Sequence, residues 1–215
     1  MQLLAAEGSL PERKVKIGLL PGSFNPPHAG HIDLAVCAAR AGLDRILFYA
    51  NSFNIPKRQH FVPISHRREM LGLMIDPSTM SVLPGEFYPD APDEALIGGV
   101  YSFAPLVRRL QRHWPARYEL WMLRGADYFT RFDGASASYP QELRHLPHIV
   151  GTRGLDREQL DLHMLDQWIC VETLPLSSSE LRRQFGGRGA GGIDDRLLAY
   201  ADRHALYRQS TPPSK

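Results

Sequence analysis

A chain of 215 residues with 43% hydrophobic and 22% charged residues has the composition of an ordinary globular protein with a sizeable core. Its formal net charge of +2 gives no reason to expect a nucleic-acid or membrane-surface partner. No apolar run approaches the roughly 20 residues of a membrane-spanning helix. The two cysteines, Cys37 and Cys170, lie far apart in apolar surroundings, which favours buried thiols in a reducing, cytoplasmic compartment over a disulfide.

The predicted domain boundaries lie close to the two ends of the chain. Residues 1–14 carry too short an apolar stretch, and no leading positive charge, for a signal peptide, so we interpret them as a loose leader. Residues 208–215 are expected to form a disordered tail. Residues 15–207 show no internal repeat and no linker, which predicts a single domain.

Between these ends, predicted strands and helices alternate. Short apolar runs rich in β-branched residues predict strands, and apolar residues three and four apart predict helices. In chain order we predict a strand at 15–22, a helix at 31–42, a strand at 45–52, a helix at 65–76 capped by Ser65, a weak strand at 80–86, a helix at 102–114, strands at 118–127, 148–154 and 168–174, and helices at 178–185 and 193–207. Gly42 is expected to end the first helix. Stretches 84–99 and 186–192, rich in Gly and Pro, are expected to be surface loops that cover substrate.

This alternation predicts the fold class. Strands that are apolar throughout, rather than at every second residue, are typical of a mainly parallel sheet with helices on both faces. We therefore predict an α/β protein with a Rossmann-like three-layer α/β/α sandwich.

The stretch GSFNPPHAGH, residues 22–31, joins the first predicted strand to the first helix. In open parallel sheets, ligands bind at the carboxyl ends of the strands. Gly22 lets the backbone turn tightly, and the N–H groups and dipole of a helix start attract anions beside His28 and His31. The stretch predicts a phosphate-binding loop; the alternative is a rigid turn with two exposed histidines. Neither the GxGxxG fingerprint nor a P-loop is present.

A second polar stretch, LSSSELR, occupies residues 176–182. Ser177 and Glu180 have capping-box spacing, which predicts a helix start. Hydroxyls at such a start, and the forked guanidinium of Arg182, can bind phosphate oxygens. Taken alone, the stretch also fits a capped surface helix with an exposed arginine.

Together the two stretches resemble the HxGH and ISxTxIR motifs of the nucleotidyltransferase superfamily. With Phe-Asn-Pro-Pro ahead of HxGH, the chain is most similar to bacterial nicotinate-nucleotide adenylyltransferases. The second motif departs conservatively at Leu176, Ser179 and Leu181. The resemblance covers about residues 15–207 and implies AMP transfer from ATP to nicotinate mononucleotide, with pyrophosphate released, in NAD biosynthesis.

The resemblance also implies roles for individual residues. His28, His31 and Arg182 would be catalytic, binding the phosphates. The other residues expected to bind ATP are Gly22, Ser23, Phe24, Lys57, Gly125, Asp127, Ser177 and Ser178. Those expected to bind the acceptor are Asn25, Tyr101, Ser102 and Arg153. Asp127 could instead be a helix cap, and Lys57, with Arg58, a solvated basic turn. Mg²⁺ is expected to accompany ATP, held mainly through triphosphate oxygens and water rather than by a protein metal site.

The acceptor side of the resemblance has one departure. The family tryptophan beyond the Gly-x-Asp element falls at Ala135. None of the tryptophans Trp114, Trp121 and Trp168 lies in the corresponding place, and Tyr139 or Phe132 could replace it only if the loop shifts. This leaves the acceptor and the nucleotide base open.

Several alternatives therefore stand beside the leading prediction. They are a nucleotidyltransferase that uses nicotinamide mononucleotide, a phosphopantetheine-like acceptor or CTP, and a nucleotide-binding regulator without catalysis. A histidine-based metallohydrolase would need carboxylates near the histidine pair, where Asp33 is the only close one. The expected partners are ATP and a pyridine mononucleotide, with no nucleic acid and no membrane; a homo-oligomer stays open.

Overall fold

The computed structural model describes residues 13–51, 62–87, 96–97, 100–101, 104–130, 139–184 and 193–207. Its strands are β1 (Val15–Gly22), β2 (Arg45–Ala50), β3 (Met80–Val82), β4 (Leu96–Ile97), β5 (Val100–Tyr101), β6 (Tyr118–Gly125), β7 (His148–Gly151) and β8 (Trp168–Val171). Its α-helices are α1 (Ala29–Arg40), α2 (Ile64–Met74), α3 (Ala104–His113), α4 (Ser178–Gln184) and α5 (Asp195–Arg203). Single turns of 3-10 helix lie at Gly85–Phe87, Ala126–Tyr128, Gln141–Leu143 and Arg157–Gln159.

The main sheet has six strands in the order β3-β2-β1-β6-β7-β8, and every neighbouring pair is parallel. The strand order reverses between β1 and β6, where Ile17 pairs with Leu120 on one side and with Arg45 on the other. Ligands bind at such a reversal in open α/β sheets. The predicted Rossmann-like α/β fold is confirmed.

Alternating side chains of each strand fill the space on opposite faces of the sheet. Leu47 and Tyr49 belong to the core shared with α3. Their neighbours Ile46 and Phe48 belong to the core shared with α1 and α2. Because both faces carry buried apolar side chains under helices, the strands are apolar throughout, as predicted.

A third, smaller core joins the C-terminal helices to α2. Met70 of α2, Leu181 of α4 and Leu197 and Ala201 of α5 are all buried there. Through this core, the second polar stretch and the C-terminal end of the described residues both pack against α2.

The predicted elements are present, with shifted ends. Helix α1 begins at Ala29, and Gly42, at φ +101°, lies just beyond it. The cap predicted at Ser65 is wrong: α2 begins at Ile64 with Pro63 in the capping position, so Ser65 lies inside the helix. Within the stretch predicted as a loop at 84–99, the structure places a 3-10 turn and strand β4, which pairs with β5. None of the helices in the described ranges is long and apolar enough to cross a membrane.

Candidate active site

The candidate site lies where the loops after β1 and β6 leave the sheet. These strands pair in parallel, with Leu19 beside Met122, so the loops that follow them emerge at the same edge. The first loop leads to His28, whereas β6 ends at Gly125 and the 3-10 turn that follows contains Asp127. Residues from the two predicted nucleotide-binding elements therefore lie at one edge of the sheet.

Phe24 shapes the beginning of the first loop. Its backbone is left-handed, with φ +46°, and its side chain is 1% exposed. A Cβ atom on Gly22 would lie 2.9 Å from the tip of the Phe24 ring, so glycine is needed to admit that ring. The Phe24 ring packs edge to face against the His31 ring, with 4.8 Å between the ring centroids.

The second polar stretch holds the same loop through side-chain donors. Ser178 Oγ donates to the carbonyl oxygen of Pro26 at 2.9 Å. The peptide bond between Asn25 and Pro26 is cis. Arg182 donates from Nη1 to the carbonyl oxygen of Asn25 and from Nη2 to Ser179 Oγ at 3.0 Å. Burial lowers the pKa of Arg182 from its usual value. The two motifs, 152 residues apart at Ser178 and Pro26, thus form one structural unit.

The start of α4 follows the predicted capping chemistry. The backbone N–H of Glu180 donates to Ser177 Oγ at 3.3 Å, as the capping-box spacing indicates. The preceding segment is fixed to α1, because the N–H of Leu174 donates to Asp33 Oδ2 at 2.8 Å. Asp33 therefore positions the second motif through this bond.

Helix α2 supplies a further anchor. Arg67 is 1% exposed, and its guanidinium donates from Nη1 to the carbonyl oxygen of Ser23 at 2.7 Å and from Nε to that of Val62 at 2.8 Å. A buried charge-assisted bond to a carbonyl is stronger than a neutral one. The loop between β1 and α1 is therefore held from α2 as well as from α4.

His28 and His31 are stacked against each other at the start of α1. Their ring centroids are 3.7 Å apart with an angle of 30° between the planes. The backbone N–H of His28 donates to His31 Nδ1 at 3.2 Å, which fixes the second ring. His28 is 1% exposed, and among the described residues its Nδ1 has no hydrogen-bond partner. A buried polar atom of this kind is expected to have a ligand or water as its partner.

Both histidines are held in the neutral form. Burial, followed by the positive charge of Arg153, lowers the pKa of His28 to about 3. Burial first, and then repulsion between two protonated rings and from Arg153, hold the pKa of His31 well below its usual value. At neutral pH each ring therefore carries one N–H donor and one acceptor nitrogen, and neither repels a neighbouring cation.

Arg153 completes the cluster from the loop after β7. Its backbone has φ +53°, and its N–H donates to Thr173 Oγ1 at 3.2 Å. Its Nη1 forms an ion pair with Asp127 Oδ1 at 2.8 Å. A Cβ atom on Gly125 would lie 2.5 Å from that carboxylate oxygen and 2.8 Å from Arg153 Cζ, so the pair lies directly over this glycine. Gly125, Asp127 and Arg153 were all predicted as site residues, and the structure brings them together.

Three predicted site residues have no side chain among those that the structure describes. Lys57 and Ser102 lie outside the described residues, as do Arg58, Phe132 and Ala135. Tyr101 is described through its backbone in β5, where it pairs with Leu96. Asn25, predicted to bind the acceptor, is 1% exposed, and its Oδ1 accepts from the N–H of Val62 and the hydroxyl of Tyr207.

Among the aromatic side chains named beside the missing tryptophan, Tyr139 and Trp121 are buried in the core, whereas Trp114 and Trp168 are half-buried against it. Tyr139 is 3% exposed and its hydroxyl lies 2.6 Å from His148 Nε2. Trp121 is 3% exposed, and Trp168 stacks with the guanidinium of Arg157 at 4.3 Å. Tyr139 packs against the rings of Phe129 and His148 in the core, and its role in place of the family tryptophan stays a prediction.

Two residues near the loop were not predicted to contact it. They are Arg67 of α2 and Tyr207, which follows α5. Tyr207 donates its hydroxyl to Asn25 Oδ1 at 3.0 Å. The two residues are 182 positions apart, and no local pattern links them. Arg67 could have been suspected because an arginine on the apolar face of a helix needs a buried acceptor.

Comparison with known proteins places the chain in a family. The cytidylyltransferase-like family matches residues 19–184, and the chain belongs to this family of nucleotidyltransferases. A relative from Desulfotalea psychrophila, named probable nicotinate-nucleotide adenylyltransferase, is 48% identical over 60 residues, which are 27% of this chain and 28% of the relative's length. A relative of the same name from Chloroherpeton thalassium is 28% identical over 204 residues, covering 90% of this chain and 98% of that one.

A solved structure shows the same fold. The Plasmodium falciparum nicotinic acid mononucleotide adenylyltransferase complexed with NaAD superimposes with a TM-score of 0.68. The sequence identity is 16%, and the superposition covers 89% of this chain and 97% of that one. The likeness confirms the three-layer architecture over most of the chain.

Proposed function

We propose that this protein is a nicotinate-nucleotide adenylyltransferase, which transfers AMP from ATP to nicotinate mononucleotide and releases pyrophosphate. The observation that carries the proposal is the pair of stacked, neutral histidines at the strand-order reversal, where buried His28 Nδ1 has no partner among the described residues. The names of the relatives, and the complex with NaAD in the Plasmodium falciparum protein, support the acceptor.

The proposed reaction is an in-line displacement at phosphorus. A phosphate oxygen of nicotinate mononucleotide attacks the α-phosphorus of ATP and forms the new P–O bond. The bond from that phosphorus to the oxygen bridging to the β-phosphorus breaks, and pyrophosphate leaves with the bonding electrons. A phosphate monoester is largely ionised at neutral pH, so the attack needs no general base. Catalysis then depends on positioning and on stabilising charge on the phosphates.

The described residues suit these tasks. His28 and His31 would donate N–H groups to triphosphate oxygens, and an arriving anion favours protonation of rings that are neutral in its absence. Arg182 uses two of its five donors within the protein, which leaves others for a phosphate. Asp127 would orient the nucleotide with its second carboxylate oxygen, while Arg153 binds the acceptor phosphate. Outside the described residues, we assign Lys57 to the leaving pyrophosphate.

Magnesium would be held by the substrate. Among the described residues no group of three or more His, Cys, Asp or Glu side chains could hold a metal ion. The donors around the loop are N–H groups of histidine and arginine, which suit phosphate oxygens rather than Mg²⁺. Mg²⁺ is therefore proposed to bind through triphosphate oxygens and water, where it would neutralise charge on the phosphates. A cytoplasmic location remains a prediction.

Turnover with a panel of substrates tests the proposal. ATP and CTP are each paired with nicotinate mononucleotide, nicotinamide mononucleotide and 4′-phosphopantetheine, and pyrophosphate release is measured together with the coupled product. We expect the highest kcat/KM for ATP with nicotinate mononucleotide. A higher value for another pair would reassign the acceptor or the base, and ATP binding without pyrophosphate release from any pair would indicate a regulator.

Single substitutions then test the histidine pair. His31→Ala is expected to lower kcat/KM at least about 100-fold, the scale for removing a preorganised donor. His163→Ala, which changes an exposed histidine after β7, is the matched control and should retain wild-type turnover. Normal turnover in His31→Ala would contradict the role assigned to this ring.

A further inference from the structure

The C-terminal turn reaches back to the loop before the histidine pair. Helix α5 ends at Arg203, and the chain then bends through Ala205 at φ +52° and Tyr207 at φ +59°. Left-handed backbone is uncommon for residues other than glycine and persists where surrounding contacts hold it. Here it directs Tyr207 toward Asn25, and the tyrosine hydroxyl donates to Asn25 Oδ1 at 3.0 Å.

Asn25 receives bonds on both its side chain and its backbone. Besides Tyr207, the N–H of Val62 donates to the same Oδ1 at 3.3 Å, and Arg182 donates to the backbone carbonyl. Asn25 is 1% exposed and lies three residues before His28. A shift of Asn25 would therefore be transmitted over one short segment to the start of α1.

The tyrosine hydroxyl is not needed to dock α5. That helix packs through Leu197 and Ala201, both fully buried. Its position is fixed independently by Tyr200, whose hydroxyl donates to Glu69 Oε2 at 2.6 Å and lies 2.8 Å from His66 Nδ1. The hydroxyl of Tyr207 can thus be removed while the helix keeps its apolar packing and its second anchor.

We propose that Tyr207 is a positioning residue for catalysis, which acts through Asn25 to hold the β1–α1 loop so that the histidine pair meets the phosphates. This inference rests on the proposed function for its kinetic consequence, but the contact itself does not depend on it. The C-terminal turn thereby becomes part of the site, although it touches no reacting atom.

The test compares Tyr207→Phe with Tyr200→Phe, which removes a hydroxyl from the same C-terminal segment without touching the loop. Losing one hydrogen bond that orients the loop is expected to lower kcat about fivefold in Tyr207→Phe. The KM for ATP should change less than twofold, and Tyr200→Phe should keep the wild-type kcat. Equal kcat values in Tyr207→Phe and wild type, or equal losses in both variants, would overturn the proposal.

A double-mutant cycle asks whether the effect passes through Asn25. In an Asn25→Ala background, Tyr207→Phe is expected to cause no further loss of kcat, because the acceptor of its bond is gone. Losses that multiply in the double variant would show that Tyr207 acts by another route.

Hydrogen exchange separates this inference from the proposed function. In the free protein, Tyr207→Phe should speed exchange in the peptide covering residues 22–28, whereas Tyr200→Phe should not. An inactive wild-type protein would refute the proposed function and leave the exchange comparison to decide the contact. Unchanged exchange in Tyr207→Phe would refute the positioning role whatever the activity.

Discussion

His148 offers a quantitative test of how the fold holds a neutral histidine. The ring is fully buried at the start of β7, and its Nδ1 lies 2.6 Å from the carbonyl oxygen of Leu146. Because a carbonyl can only accept, Nδ1 carries the proton, and Nε2 accepts from the Tyr139 hydroxyl at 2.6 Å. Protonation of Nε2 would remove that acceptor inside the core.

The lowered pKa of His148 predicts how the stability of the protein depends on pH. Burial lowers the pKa of His148 to about 4 from its usual 6.5, with the bond to Leu146 opposing the shift. Below pH 6.5 the unfolded chain binds a proton that the folded chain does not, so stability is fully present above 6.5 and falls as the pH approaches 4. At about 1.4 kcal/mol for each pKa unit, the full contribution is on the order of 3 kcal/mol.

Denaturant unfolding between about pH 4.5 and 7.5 measures this effect. His148→Gln keeps an acceptor for Tyr139 but does not titrate there, so its free energy of unfolding should fall less steeply with acid than that of wild type. The difference in slope should approach 1.4 kcal/mol per pH unit, the limit for one proton. His163→Gln, an exposed control, should follow wild type. Identical slopes for wild type and His148→Gln would refute the assignment of a low pKa to this buried ring.

Three further substitutions test the architecture of the site. Gly125→Ala should displace the ion pair between Asp127 and Arg153, whose atoms lie within 2.9 Å of the added Cβ. The variant should lose at least about tenfold in kcat/KM with little change in Tm, and unchanged turnover would contradict the role of this ion pair. Arg67→Lys should lose the bond to the Ser23 carbonyl and lower the free energy of unfolding by about 1.5–3 kcal/mol, as measured by denaturant unfolding. A wild-type free energy of unfolding in this variant would refute the anchoring role. Ser177→Ala should lower the free energy of unfolding by about 1 kcal/mol through loss of the cap on α4, whereas no loss would show that the cap is not needed.

Much of the fold could be predicted because the strands are buried on both sides. A run such as that of β1, with Ile17 and Leu19 both 0% exposed, is apolar enough to be recognised without any neighbour. The ends of the helices were harder to predict from the sequence. Ser65 has the side chain of a good cap, but Pro63 starts the helix earlier, and that choice depends on how the segment after Val62 packs against the loop.

The residues of the candidate site were likewise predictable only in part. The histidine pair and the start of α4 could be predicted, since each lies within one short motif whose spacing carries the chemistry. The contacts that hold them could not, because the Tyr207–Asn25 and Ser178–Pro26 bonds join residues 182 and 152 positions apart. Periodicity and capping rules describe neighbours along the chain, whereas these bonds arise only when three helices converge on one loop.

The central claim is tested most directly by following the α-phosphorus of ATP. With ATP labelled at that phosphorus and with nicotinate mononucleotide as acceptor, the label should appear in nicotinate adenine dinucleotide, with one pyrophosphate released for each dinucleotide formed. His31→Ala should slow the formation of both products together, by at least about 100-fold. Label recovered only as free AMP, or a dinucleotide formed at the wild-type rate by His31→Ala, would contradict nucleotidyl transfer at the histidine pair.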